Sequence, residues 1–273
     1  MDDSLLDMLI ANVRNLLRGK PEELPTPTIP PTTIVATDTG ESEDMRIGTA
    51  NIKYNLPLPK IAQDGAAMGR HCDIWGGQEI EAAGQAYETI MNALGDKWQG
   101  VHGNTRLPIF LRADKLDVVD TLRRNYPLSR PIKYTPHDRI HTAVIVKSKT
   151  RTTLPPFALI NNHLIAGAYN AATPTAPDVP ARRRQYDLEW ANLNRFISEL
   201  RGKGLTTFIV GDFNRPTVPK PQIDFKWLAG SRLDRVGVTT GGNIRVEQRD
   251  TMPVILNSDH TGQIARVRLM KRK

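Results

Sequence analysis

Polar side chains that could bind a cation and activate water recur at five places along the chain, each at the end of an apolar run. They are carboxylates, amides and imidazoles, the groups that bind hard cations, take a proton from water and donate to phosphoryl oxygens. The residues that we select from these five segments are Asn51, Glu79, His163, Asp212, Asn214, Asp259 and His260. Together they are suited to metal-assisted hydrolysis of a phosphate ester.

The segment Gly211–Asn214 has the most informative spacing of the five. It follows an apolar run, and its glycine allows the backbone to turn sharply at the end of a strand. Asp212 and Asn214 are two residues apart, so in an extended loop their side chains point the same way. The carboxylate could take a proton from water while the amide holds the water or the phosphate. The alternative is an Asx turn that caps the strand, and this segment alone does not decide between the two.

The other segments supply the remaining groups. Glu79 could bind a hard cation or stabilise a helix N-terminus, and Asp259 beside His260 suits one metal ligand next to one cationic donor. His163 ends a predicted strand, where a lone histidine is more often structural. Taken jointly, polar residues at successive strand ends mark the usual place of an active site in α/β proteins. Because the donors are oxygens and include no thiolate, they favour Mg²⁺, Mn²⁺ or Ca²⁺ over zinc.

The elements that must position these residues alternate between strands and helices from about residue 45 onwards. Hydrophobic spacing predicts helices over 64–72, 82–94 and 182–200, and strands over 45–52, 107–111, 116–122, 142–146, 157–161, 206–210 and 263–269. We expect 107–111 and 116–122 to form one hairpin, and 142–146 to pair with 157–161. Single helices between strands, with hairpins among them, predict a mixed α/β sandwich and not a purely parallel sheet.

Residues 1–20 are a separate feature of the sequence. Apolar side chains recur there at three- and four-residue steps, which predicts an amphipathic helix over 4–19. The proline-rich stretch that follows predicts an extended linker over 21–44, and residues 45–273 are then the catalytic domain. A stiff linker holds the helix away from its own domain, so we favour docking onto a protein partner or self-association over packing back.

The charge balance favours an anionic partner. The chain has 37 Lys+Arg against 29 Asp+Glu, a formal net charge of +8. Basic clusters at 123–133, 182–184 and 266–273 could follow a phosphate backbone, so nucleic acid is the expected partner, although each cluster could equally be solvated or salt-bridged. The single cysteine, Cys72, excludes an internal disulfide. Without a signal peptide or a membrane-spanning run, the sequence predicts a soluble, cytoplasmic protein.

In this order, the segments resemble the motifs of the endonuclease/exonuclease/phosphatase family, which includes pancreatic deoxyribonuclease and the abasic-site endonucleases. Gly211–Asn214 is the family's Gly-Asp-Phe-Asn motif unchanged, and Asp234 lies in a segment whose Asp orients the last His. The resemblance covers about residues 46–269. It implies a two-layer β-sandwich core flanked by helices, the deoxyribonuclease-like four-layer sandwich, with the site where the strand ends meet.

The resemblance also implies a role for each site residue. Asp212 would activate the attacking water, and His260 would be kept cationic by Asp234. The expected metal ligands, for Mg²⁺ or Mn²⁺, are Glu79, Asn51 and Asp259; the expected catalytic residues are Asp212, Asn214, His163, His260 and Asp234. With the basic clusters taken into account, the expected substrate contacts are Asn51, Lys53, Arg182 and Arg183.

These observations predict a metal-dependent nuclease, and an endonuclease in particular, that cleaves a phosphodiester by in-line attack of water. Two alternatives stay open. One is a phosphatase or phosphodiesterase that acts on a lipid headgroup or a small phosphate ester, although no long apolar hairpin for membrane insertion is evident. The other is a non-catalytic, enzyme-like module that docks into an assembly through the helix predicted over 4–19.

Overall fold

The computed structural model of the protein describes residues 42–81, 85–128, 131–132, 135, 138–169, 178–219 and 221–272. The chain divides into two compact units, Met1–Ala36 and Thr37–Lys273, and every described residue belongs to the second. The predicted helix over 1–20 and nearly all of the linker predicted over 21–44 therefore lie outside the described residues. The last residues of that predicted linker belong to the first strand, which begins at Ser42.

Two six-stranded sheets form the centre of the described unit. In chain order the strands are β1 (Ser42–Asn51), β2 (Ile74–Gln78), β3 (Trp98–Val101), β4 (Ile109–Arg112), β5 (Leu116–Pro127), β6 (Asp138–Ser148), β7 (Phe157–His163), β8 (Thr206–Asp212), β9 (Phe225–Ser231), β10 (Asp234–Thr239), β11 (Ile244–Val254) and β12 (Gly262–Lys271). The helices are α1 (Leu58–His71), α2 (Ala86–Leu94) and α3 (Val179–Gly202). The strand order is β11-β12-β1-β2-β4-β3 in the first sheet and β5-β6-β7-β8-β10-β9 in the second.

Apolar and polar side chains alternate along the strands, so each sheet has an apolar face, and the two apolar faces pack against each other. Met45 and Ile47 of β1 pack with Val144 and Val146 of β6 in the core between the sheets. The buried stripe of α3 packs on the outer face of the second sheet, and α1 and α2 pack on the outer face of the first. The result is the four-layer sandwich that the sequence predicts. Within the described residues, no helix combines the length and the apolar character needed to cross a membrane.

A buried polar network ties the two sheets together below the predicted site. The side-chain Nδ2 of Asn161 on β7 donates to the carbonyls of Gly77 and Pro108 at 2.8 and 2.9 Å, and its Oδ1 accepts from Gln78 Nε2 at 2.6 Å. The sheets approach so closely here that a Cβ on Gly76 would lie 2.6 Å from Asn161 Cγ. Only glycine fits at this position, which fixes the separation of β2 and β7.

The strand register brings the predicted site residues to one edge of the sandwich. β1 and β2 are parallel, with Asn51 opposite Gln78, the residue before Glu79. β7 and β8 are also parallel, with His163 opposite Asp212. β10 runs antiparallel to β8 and begins with Asp234 opposite Asp212. The carboxyl ends of the two parallel pairs therefore carry the polar residues together.

Several element predictions need correction. β4 and β5 do not form a hairpin, because β4 pairs with β2 and β3 in the first sheet while β5 pairs with β6 in the second. The turn over 113–115 carries the chain between sheets, which hydrophobic alternation cannot reveal. Helix α1 begins at Leu58 and not near residue 64, with a proline in its first turn, where the missing N–H costs nothing. Strands β2, β3, β9 and β11 were not predicted from the sequence, and only part of β10 was recognised, as a motif.

Candidate functional site

One carboxylate oxygen, Asp212 Oδ2, lies at the centre of the predicted site. It accepts a hydrogen bond from Asn51 Nδ2 at 3.1 Å. His163 Nε2 lies 3.7 Å from the same oxygen and His260 Nε2 lies 3.9 Å from it. Three side chains from three different chain segments thus converge on the end of β8, although the sequence separates Asn51 from Asp212 by 161 residues.

The local backbone explains how Asp212 is held in this position. Gly211 has φ 147°, and a Cβ there would lie 2.0 Å from the carbonyl oxygen of Asn162, so no other residue fits before the carboxylate. Asn214 has φ 47° and its backbone N–H donates to Asp212 Oδ1 at 2.7 Å. The side-chain Nδ2 of Asn214 donates to the Leu164 carbonyl at 2.9 Å, which ties the loop after β8 to the loop after β7.

Burial sets the electrostatics of this carboxylate. Asp212 is 1% exposed. Burial raises the pKa of Asp212, while the nearby imidazoles of His163 and His260 act in the opposite direction. A carboxylate with a raised pKa is a better proton acceptor than an exposed one, which suits the predicted role of general base.

The two histidines differ because only His260 has a carboxylate at hydrogen-bond distance, whereas His163 Nε2 lies 3.7 Å from Asp212 Oδ2 and 3.9 Å from Glu79 Oε1. His260 Nδ1 lies 2.7 Å from Asp234 Oδ2. Burial alone would lower the pKa of His260, but the hydrogen bond to Asp234 and the charges of Asp234 and Asp212 raise it to about 9. Burial also raises the pKa of Asp234, opposed by its bond to His260. Burial lowers the pKa of His163 to about 4, and Asp212 opposes this only in part. At neutral pH, His260 is therefore cationic and His163 is neutral.

Asn51 and Glu79 form the side of the site that fits a hard cation. Asn51 Nδ2 donates to Glu79 Oε1 at 3.1 Å, while Asn51 Oδ1 is buried with no hydrogen-bond partner among the described residues. Glu79 has φ 60°, a strained conformation for a non-glycine residue that is typical of functional sites. An unsatisfied amide oxygen beside a carboxylate matches the oxygen donor set that Mg²⁺ and Mn²⁺ prefer, so the residues fit the implied metal.

Single ligand atoms of Asp212, Asp234 and His260 also lie within 4.8 Å of one another. This second group is less suited to a cation, because His260 is protonated and its Nδ1 is committed to Asp234. We therefore expect the cation on the side of Asn51 and Glu79.

The third predicted metal ligand, Asp259, is engaged by a different residue. Asp259 Oδ2 lies 3.0 Å from the Lys53 ammonium, and the two side chains are 61% and 40% exposed. The backbone N–H of Lys53 is 3.4 Å from the Ser258 hydroxyl, so the loop after β1 packs against the loop before β12. The structure thus brings Lys53, a predicted substrate contact, to the site, but pairs it with Asp259.

The predicted substrate contacts on α3 have structural roles. Arg182 is 6% exposed and donates to the Ala166 carbonyl at 2.9 Å. The sequence had predicted an exposed side chain here. Arg183 is exposed, and its Nε donates to the Ala168 carbonyl at 3.2 Å. Both residues fasten the N-terminal end of α3 to the loop that follows His163. As a buried side chain that is bonded to this loop, Arg182 is poorly placed to contact substrate directly.

A buried ion pair that the sequence did not predict lies behind His163. Arg139 of β6 and Glu189 of α3 are paired at 2.9 Å, with side-chain exposures of 11% and 1%. Arg139 Nη2 donates to the carbonyl of His163, and Glu189 Oε2 accepts from the backbone N–H of Ile165 at 2.8 Å. The pair therefore holds the end of β7 from both sides. The only sequence signal for it is a glutamate on the apolar face of α3, four residues after Gln185.

No protein-family model and no curated protein matches the sequence. Among solved structures, the chain is similar to an endonuclease/exonuclease/phosphatase from Bacteroides vulgatus, with TM-score 0.60 and 19% identity over 82% of this chain and 98% of that one. The chain has the endonuclease/exonuclease/phosphatase fold.

Other proteins with the same fold act on different phosphate esters. A mannosyl-6-phosphatase from Bacteroides thetaiotaomicron has TM-score 0.56 and 16% identity, over 82% of this chain and 99% of that one. ANGEL2, a 2',3'-cyclic phosphatase solved with adenosine-2',3'-vanadate, has TM-score 0.58 and 12% identity, over 85% and 97%. The similarity in structure thus confirms the predicted architecture, and proteins that share this architecture differ in substrate.

Proposed function

We propose that this chain is a metal-dependent phosphodiesterase that hydrolyses nucleic acid by in-line attack of a water activated by Asp212. The observation that carries the proposal is the environment of Asp212 Oδ2, with Asn51 at 3.1 Å and two imidazoles at 3.7 and 3.9 Å. A buried base beside a cationic donor and an oxygen-lined cation site is the arrangement that phosphoester hydrolysis requires.

Each residue has a separate part in the reaction. Asp212 takes the proton of the attacking water through Oδ2, and the Asn214 N–H keeps the other carboxylate oxygen in place. His260 donates from Nε2 to the charge that develops on the phosphoryl group, because its Nδ1 is occupied by Asp234. His163 is neutral and can donate a hydrogen bond without adding charge. A bound Mg²⁺ or Mn²⁺, held by Glu79 and Asn51, would neutralise charge on the phosphate.

Nucleic acid is proposed as the substrate on the basis of charge. The formal net charge of +8 favours a polyanion. Some of the predicted basic clusters do not add to this argument, since Arg124 pairs with Glu199 at 2.8 Å and Arg268 pairs with Asp44 at 2.9 Å. The support therefore comes from the overall charge.

A phosphatase acting on a small phosphate ester is the second candidate. Its support is the similarity in fold to the mannosyl-6-phosphatase. The two functions share the reaction centre and differ in what surrounds the phosphate, so the products distinguish them. A phosphatase releases inorganic phosphate from a monoester, whereas a nuclease cuts an internal phosphodiester.

The test uses the full chain with Mg²⁺, Mn²⁺ or EDTA on supercoiled plasmid, single-stranded oligonucleotides, bis(p-nitrophenyl) phosphate and a sugar 6-phosphate. We expect metal-dependent cleavage of the nucleic acid, and a loss of about 10²–10⁴ in rate in Asp212→Asn, because general-base catalysis contributes that much. Asp120→Asn, which removes an exposed carboxylate on β5, is the matched control and should retain activity. Intact nucleic acid in both metals, with phosphate released from the monoester, would favour the phosphatase.

A further inference from the structure

An aromatic ring flanked by two arginines lies beside the proposed site. The guanidinium carbon of Arg215 is 4.0 Å from the centre of the Tyr169 ring, and that of Arg183 is 5.6 Å from it. The ring is fixed in orientation, because its hydroxyl donates to Asp187 Oδ1 at 3.1 Å and Tyr186 packs edge-on at 5.1 Å. We call Tyr169, Arg183 and Arg215 the Tyr169 platform.

The guanidinium of Arg215 is held against two aromatic rings. Among the described residues, no carboxylate lies within salt-bridge distance of Arg215 or Arg183. The contacts of Arg215 are with the faces of Tyr169 and Tyr186. Stacking covers the face of a guanidinium and leaves its N–H edge able to donate, which is the edge that binds phosphate. Arg215 is half-buried, and its stacking limits the orientations of the guanidinium before any ligand binds.

The platform is at the same edge of the sandwich as Asp212. Arg215 directly follows Asn214, so its Cα lies at most about 11 Å from that of Asp212 along three steps of the chain. Tyr169 belongs to the segment that leaves β7 at His163, and this loop is joined to the loop after β8 by the Asn214–Leu164 hydrogen bond. An anion on the platform would therefore lie close to the phosphate at Asp212, within the spacing of neighbouring phosphates along a strand.

We propose that the Tyr169 platform binds a second phosphate of a polynucleotide, next to the phosphate that is cleaved. The proposal rests on the proposed nuclease function and specifies how that site would recognise a chain in preference to a small ester. A sugar phosphate has no second phosphate to reach Arg215, whereas consecutive phosphates of a nucleic acid strand are only a few ångströms apart. The platform would thus bind long substrates in preference to small ones.

Binding is measured separately from cleavage, with a fluorescein-labelled single-stranded 12-mer and the full chain in EDTA, by anisotropy over a series of salt concentrations. Removing one charged donor to phosphate should weaken binding by about tenfold, and should lower the slope of log K against log salt by about 0.7. We therefore expect both changes in Arg215→Ala. Arg195→Ala removes the same charge from an exposed position of α3 and should change neither quantity.

Two more variants separate stacking from charge. Arg215→Lys keeps the charge but loses the planar stack, so its affinity should lie between those of the wild type and Arg215→Ala. Tyr169→Leu should weaken binding without changing the number of charges. If this variant does not fold, Tyr169→Phe, which keeps the ring and loses only the bond to Asp187, replaces it and should retain most of the affinity.

The outcomes of binding and cleavage are independent. If Arg215→Ala and Arg195→Ala have the same affinity for the 12-mer and the same slope of log K against log salt, the Tyr169 platform does not bind phosphate, even if the wild type cleaves DNA or RNA. If Arg215→Ala weakens binding of the 12-mer while the wild type cleaves no nucleic acid in either metal, the platform stands and the proposed nuclease activity fails. Where cleavage occurs, kcat/KM for the 12-mer should fall more in Arg215→Ala than kcat/KM for bis(p-nitrophenyl) phosphate.

Discussion

Replacing Asp234 with asparagine tests whether the site depends on a cationic His260. The bond between Asp234 and His260 is 2.7 Å long, and His260 has a pKa of about 9. In Asp234→Asn the amide oxygen can still accept from Nδ1, so the ring orientation is kept and the charge is removed. Burial then lowers the pKa of His260 to the ordinary value of about 6.5 or below, which is a loss of about 3 kcal/mol in the stabilisation of the imidazolium.

The expected defect depends on pH. The protonated form is present below the pKa and is lost as the pH rises through it. At pH 8, a pKa of about 9 leaves about nine-tenths of His260 protonated, whereas a pKa of about 6.5 leaves about 3%. The rate should therefore fall about 30-fold at pH 8, but less than about twofold at pH 6, where both forms are mostly protonated.

The assay is kcat/KM on bis(p-nitrophenyl) phosphate from pH 5.5 to 9.5 at constant free Mg²⁺, with Asp120→Asn as the control. The imidazole resonances of the metal-free protein, followed by NMR over the same range, give the pKa of His260 directly. A defect of equal size at pH 6 and pH 8 would show that Asp234 acts on geometry and not on charge. No defect at either pH would remove His260 as the cationic donor.

Three further predictions concern the cation and stability. Glu79→Gln should weaken Mn²⁺ binding, measured by calorimetry without substrate, by more than about tenfold, and Asp259→Asn should weaken it less, since that carboxylate pairs with a lysine. Glu189→Gln leaves Arg139 buried without its charged partner and should lower the free energy of unfolding by about 3 kcal/mol. Glu199→Gln breaks an exposed pair on the same helix and should lower it by less than about 1 kcal/mol. Urea unfolding measures both free energies. Burial lowers the pKa of His141 to about 3, so below pH 6.5 the unfolded chain binds a proton that the folded chain does not, and the free energy of unfolding falls as the pH falls. His141→Gln should reduce this loss by about 1.4 kcal/mol per pH unit between pH 6.5 and 4.5. If urea unfolding gives the same dependence of stability on pH for the variant and the wild type, His141 is not the cause of the loss.

Secondary structure was predictable from the sequence where the hydrophobic pattern lies within a single helix or strand. The buried stripe of α3, with Tyr186, Leu193 and Ile197, is read directly from its spacing and was confirmed. The end of β8 was likewise predicted, because an apolar run stops at a glycine. β11 was missed since most of its residues are exposed on both faces and it contains a proline, so it has no hydrophobic alternation.

Long-range pairing was much less predictable. The wrong hairpin of β4 and β5 arose because two neighbouring apolar runs look alike whether they pair with each other or join different sheets. The same limit applies to the site. Arg182 was predicted to contact substrate from its neighbours in sequence, but its burial depends on the loop at Ala166. The Arg139–Glu189 pair and the contact of Arg215 with Tyr169 join residues that no local pattern connects.

The difference between the two histidines follows from the strand order alone. His163 and His260 approach the same oxygen of Asp212, at 3.7 and 3.9 Å, and both are largely buried. Burial alone would make both neutral. β10 pairs with β8 so that its first residue, Asp234, lies opposite Asp212 and 2.7 Å from His260 Nδ1, whereas the other carboxylate near His163, that of Glu79, is 3.9 Å from its Nε2. One strand pairing therefore provides the cationic donor, and with it the direction from which charge on a substrate phosphate is stabilised.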